Sequence, residues 1–110
     1  MTDIELTKAC AEAMEIRFVV WQGVCWMGRL GDREAIYDPL HDDAQAMALV
    51  KRFLLVIEPD GNCPECQYWA VTWINKSRAK GMRSITARKV PDPLNRAIVE
   101  CCAKIQAAKQ

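Results

Sequence analysis

One histidine, His41, is all the imidazole in this chain of 110 residues, and glycine and proline number only five each. No phosphate-binding glycine loop, no HExxH pair and no nucleophile elbow occurs. That removes the usual sequence signs of nucleotide, metallopeptidase and serine-hydrolase chemistry. His41 has no nucleophile beside it, and Asp42 and Asp43 follow it directly, so its simplest place is a helix start. Long apolar runs are missing too. Phe53-Leu54-Leu55-Val56-Ile57 is among the longest and is far too short to cross a bilayer. The first residues, Met1-Thr2-Asp3-Ile4-Glu5, carry acids where a secretory signal carries bases. Repeats, linkers and low-complexity tracts are absent. These features lead us to expect a cytoplasmic protein with no membrane contact.

What remains favours one compact unit. The length suits a single domain over residues 1–110, and an apolar share of 51% supplies a core. A net charge of +1 selects no class of partner. The six cysteines, in a chain expected to be cytoplasmic, read as reduced thiols.

The periodicity sketches an α+β chain. Thr2 and Glu5 have capping-box spacing, and Leu6, Ala9, Cys10, Ala13 and Met14 then repeat at helical intervals. Two β-prone runs, 16–21 and 24–27, flank Gln22-Gly23 and predict a hairpin. A second helix is expected to begin near Asp38-Pro39 and to carry Ala44, Met47 and Ala48 on its apolar side. The period then changes. Residues 54–58 predict a strand, and Pro59-Asp60-Gly61-Asn62 predicts a turn. Residues 68–74 alternate, with Trp69, Val71 and Trp73 on one face, and 82–90 predict a further strand. Asp92-Pro93 opens a last helix with a stripe of Leu94, Ala97, Ile98, Cys101 and Ile105. The expected fold is a small antiparallel sheet of three or more strands with helices packed on it, covering both faces as an α-β-α sandwich.

Several of these segments also carry a family likeness. Tyr37-Asp38-Pro39-Leu40 with Asp42-Asp43-Ala44 leads into a helix containing Ala48. Tyr68-Trp69-Ala70-Val71 follows as a strand, and Pro93 leads into Leu94-Asn95-Arg96-Ala97-Ile98 and Cys101-Cys102. With Lys8-Ala9-Cys10-Ala11-Glu12-Ala13-Met14 at the start, the chain resembles the phage ABA sandwich domain family of small phage and prophage proteins. The resemblance implies a helix–sheet–helix sandwich in a bacterial host cell and implies no activity. The Cys63–Cys66 element and the long apolar stretch from Trp21 to Arg29 depart from that pattern.

Three residue groups invite a chemical reading. Cys63-Pro64-Glu65-Cys66 has the spacing of half a zinc knuckle. Zinc would need further ligands from Cys25, His41 or the Cys101-Cys102 pair, and adjacent helical cysteines point about 100° apart. A redox pair would want a helix N-terminus, whereas this motif enters a strand. A loop with incidental cysteines is the plainer alternative, so no cofactor is expected, with zinc as the exception. Next, Lys76, Arg78, Lys80, Arg83, Arg88 and Lys89 lie in a stretch from Gln67 to Val90 without one acid. The rest of the chain holds nine bases and fourteen acids. Such a basic hairpin could follow a phosphate backbone of DNA or RNA, or could simply be a solvated turn. Finally, Phe18, Trp21, Trp26 and Met27 form an apolar cluster suited to a partner or to self-association, unless the core absorbs it. With no catalytic constellation in view, the leading expectation is a non-catalytic interaction module whose partner is a host or phage protein. Nucleic-acid binding and a zinc or redox role are the alternatives.

Overall fold

In the computed structural model, the described residues are 2–27, 35–60, 68–73, 82–87 and 92–108. They form an α+β chain. The first helix, α1 (Asp3–Ala13), starts as its sequence predicts. The Thr2 side chain accepts from the Glu5 amide, and the Glu5 carboxylate returns the bond to the Thr2 amide. It stops without a glycine. Glu15 takes φ 59°, its amide bonds the Glu12 carbonyl, and the Ile16 amide bonds the Ala11 carbonyl at 2.9 Å. This pair of bonds is the Schellman closure, normally reserved for glycine because a Cβ is strained at positive φ.

The strands β1 (Val19–Trp21) and β2 (Val24–Trp26) form the expected hairpin. Gln22 and Gly23 both have positive φ, 51° and 73°, which matches the right-handed twist of the flanking strands.

The second helix, α2 (Asp43–Phe53), begins later than Asp38-Pro39. Residues 38–41 form a turn first, in which the His41 and Asp42 amides both bond the Asp38 carbonyl. Asp42 is the cap, and its side chain accepts from the Gln45 amide at 3.0 Å. Leu54, expected in a strand, instead closes α2 in the left-handed region at φ 53°. It is the most exposed large apolar residue among those described, at 74%.

The next strand, β3 (Val56–Asp60), runs through Pro59 and Asp60, which the sequence places in a turn. Proline is tolerated because, among the described residues, β3 pairs only with the strand after it and so lies at an edge. That strand, β4 (Tyr68–Trp73), pairs antiparallel with β3 on one side and with β5 (Met82–Ala87) on the other. Ala70 and Val71 point to opposite faces of β4, and both are fully buried.

The last helix, α3 (Pro93–Ala108), has proline at its first position as expected. Its buried residues go well beyond one stripe. Asn95, Val99, Cys102 and Ala103 join Ala97, Ile98, Cys101 and Ile105. The packing explains this. The helix lies on β4 and β5, while α1 and α2 pack against α3 itself. α3 thus joins the sheet to the other two helices. Polar ties reinforce the stack: Asn95 donates to Asp43 at 2.8 Å, and Arg96 reaches Asp3 at 3.1 Å and Glu100 at 3.2 Å. None of the described helices is long and apolar enough to cross a membrane.

Two predictions follow from these elements. Ile98→Ala, at a site 1% exposed, should cost about 2–5 kcal/mol in urea unfolding. Replacing either Glu15 or Leu54 with glycine should stabilise the protein by about 1 kcal/mol in the same assay, because each relieves a left-handed Cβ.

Candidate functional site

The hairpin is secured on one side only. Along β2, the Tyr37 amide bonds the Cys25 carbonyl at 2.9 Å, the Met27 amide bonds the Ala35 carbonyl, and Trp26 bridges to Ile36. Cys25 is buried, and Val24 and Trp26 are half-buried. The segment around 35–37 thus occupies the outer edge of β2. Among the described residues, β1 bonds only to β2, which leaves its other edge open.

The side chains of β1 are unusual for such an edge. Val19, Val20 and Trp21 are consecutive, so they point to both faces, and they are 59%, 39% and 49% exposed. Edge strands are commonly protected by charge, proline or a bulge. Here three apolar residues with high strand propensity stand in water.

The four residues singled out in the sequence separate in the structure. Phe18 and Met27 are half-buried and pack against the core, where they anchor the ends of the hairpin. Trp21 is exposed, and Trp26 is half-buried, with its indole Nε1 donating to the Trp21 carbonyl at 3.4 Å. Val19 and Val20, which belong to the same apolar segment, complete the exposed patch. The signal was present in Val19-Val20-Trp21: adjacent apolar residues in a hairpin strand cannot all face one side.

Cys63 and Cys66 lie outside the described residues, as do Lys76, Arg78, Lys80, Arg88 and Lys89. Arg83 lies in β5, in register with Thr72. Trp73 packs against the core. Among the described residues, no group of three His, Cys, Asp or Glu side chains could hold a metal ion. His41 lies in the turn before α2, with Nδ1 2.8 Å from Asp38 Oδ2.

The described cysteines, Cys10, Cys25, Cys101 and Cys102, are buried thiols outside any disulfide. The Cys10 thiol donates to the Val99 carbonyl at 3.5 Å, which joins α1 to α3. Burial pushes the Cys101 thiol up to about 12, with the neighbouring Cys102 adding to the effect. Contact with the Cys10 thiol, and then burial, raise Cys102. Burial also raises Cys25, although Lys8 opposes it. Beside them sits Tyr37, whose buried hydroxyl has no hydrogen-bond partner. Burial raises its pKa, and the Cys10, Cys102 and Cys25 thiols add to this. Thiol nucleophiles and metal ligands act as thiolates. These shifted cysteines therefore serve as small core residues.

No protein-family model, no curated protein and no solved structure matches the chain.

The thiols generate two measurable consequences. Ellman's reagent at about pH 8, near the ordinary thiol pKa, should leave the four buried cysteines unreacted until the protein is unfolded. Fast reaction of more than two of the six thiols in native protein contradicts this. A thiol with a raised folded pKa keeps its proton longer in the native state than in the unfolded chain. Its pairing with the fold is intact below the ordinary value of 9.0, and stability should fall as pH rises from there toward about 12. Urea midpoints measured across that range should decline, and a Cys101→Ala variant should decline less steeply.

Proposed function

We propose that this chain is a small accessory protein of phage or prophage origin that acts in the bacterial cytoplasm as a non-catalytic interaction module. The origin rests on the resemblance of Tyr37–Ala44, Tyr68–Val71 and Leu94–Cys102 to the phage ABA sandwich domain family. The interaction reading rests on one observation: β1 carries Val19, Val20 and Trp21 exposed on a strand whose outer edge no described residue pairs.

An open apolar edge provides two kinds of recognition at once. Its free backbone groups can continue a ladder with an added strand, and its side chains can bury against those of that strand. The half-buried Phe18 and Met27 hold the hairpin on the core. Its tight Gln22-Gly23 turn fixes the register of the two strands. The edge is thus preorganised, and ordering it on binding costs little. The partner favoured by this reading is a host or phage protein.

The edge is tested by replacement with charge. Trp21→Lys and Val19→Lys remove exposed apolar surface and leave the core alone, so melting temperature should stay close to wild type. Binding to a host or phage protein identified by crosslinking in infected cells should fall by about tenfold or more in Trp21→Lys, since exposed tryptophans often dominate interface energies. Unchanged binding by both variants would refute the role of β1. Turnover by the purified protein in a broad hydrolase screen would refute the non-catalytic reading.

A further inference from the structure

The backbone groups of the hairpin sort onto its two edges. The Cys25 carbonyl accepts from the Tyr37 amide, and the Met27 amide donates to the Ala35 carbonyl, so both residues turn their backbone away from β1. Successive residues of an antiparallel strand turn opposite ways. Trp26 therefore bonds toward β1, where Val19 stands opposite it. Val20 stands opposite Cys25. In such a pair both residues point outward, so the Val20 N–H and C=O face the open edge of β1. No described residue bonds them.

The edge is complementary to itself. Two copies of β1 laid antiparallel about a two-fold axis at Val20 set the outward N–H and C=O of each Val20 against those of the other, as in the closely bonded pair of an antiparallel ladder. Val19 then lies opposite the partner's Trp21, a favourable pairing of a β-branched residue with an aromatic one. The hairpin register extends this pairing. Trp26, Val19, the partner's Trp21 and the partner's Val24 form one row across four strands, on the face away from buried Cys25. Charge does not oppose the arrangement. Residues 18–23 carry none, and Arg17 falls level with the partner's Gly23, far from the partner's Arg17.

We propose that β1 pairs with β1 of a second copy of this chain, antiparallel and centred on Val20, in a weak symmetric dimer that joins two hairpins into one four-stranded sheet. This rests on the reading of β1 as the interacting edge and names an occupant for it. A symmetric contact requires one patch to match itself in backbone, side chains and charge, and β1 does so in this register. Size sets the strength. Three part-exposed side chains offer on the order of 300 Å² a copy, against about 800 Å² a side in a stable complex. The dimer is therefore concentration-dependent. It covers the apolar edge in the absence of a host or phage protein, and a longer strand from such a protein displaces it.

Sedimentation equilibrium of the reduced, intact chain should show monomer passing toward dimer between about 10 µM and 1 mM. Amide hydrogen exchange reads the register without any substitution. The Val20 amide should exchange about twofold or more slowly at the upper concentration, while the Val19 amide, already bonded to Trp26, should not change. Val20→Lys and Val20→Glu each set like charges opposite one another and should each weaken self-association by about fivefold. An equimolar mixture of the two should recover it, because lysine then faces glutamate. Exchange in the wild-type chain carries the test if these variants disturb the hairpin. A monomer at every concentration, a dimer that leaves Val20 exchange unchanged, or a mixture no stronger than its components would each overturn the proposal. If the chain stays monomeric while Trp21→Lys still loses the crosslinked protein, self-pairing falls and the interaction reading stands.

Discussion

Burial of α3 on nearly all of its circumference is the constraint on which the rest of the structure depends. A helix surrounded in this way must let neighbours approach from several directions. Ala97, Cys101, Cys102 and Ala103 are small enough to allow it, and all are buried. Ile98 and Ile105 fill the wider gaps, both 1% exposed. The order of the chain follows from this geometry. The helix follows the other elements in the chain, yet α1, α2, β4 and β5 all dock on it. Each of these elements buries apolar surface against α3, so this one segment links the packing of the domain.

The cysteines belong to the same logic. A thiol is close in size to a methyl-bearing side chain and makes only weak hydrogen bonds. Cys10 meets Val99 across the α1–α3 contact, where a larger residue would separate the helices. The hairpin stands apart from this centre. It touches α1 and is tethered through Phe18, Met27 and the bonds of β2 to residues 35–37. The packed centre holds the fold, and the tethered apolar edge is the part on which the proposed interaction rests.

Much of the architecture was legible in the residues, and the reasons are local. The capping box at Thr2 and Glu5, the Asp92-Pro93 helix start and the Gln22-Gly23 turn each act over three or four residues, so sequence alone displays them. The errors arose where tertiary context decides. Pro59 joins a strand because β3 is at an edge, which no local pattern reveals. Leu54 leaves its apolar run to close α2 because the chain must reverse there toward β3. Amphipathic helices show which face is buried and never against what, so the docking of α1 and α2 on α3 could not be read from sequence. For the candidate site, the apolar residues of the hairpin stood out in sequence. The sorting of Phe18 and Met27 to the core, and of Val19 and Trp21 to solvent, depends on how the hairpin tilts onto α1.

The buried sulfur has a consequence for the life history of the molecule. Six thiols can pair fully in about 15 ways, and the folded chain withdraws at least four of them from solvent. Protection therefore comes from conformation: each molecule that completes its fold has hidden these groups from oxidants. A molecule that lingers unfolded exposes them all, and one wrong crosslink then blocks the close approach of α1 to α3. In an oxidising solution, the folded chain therefore keeps its sulfur for as long as the helices stay together.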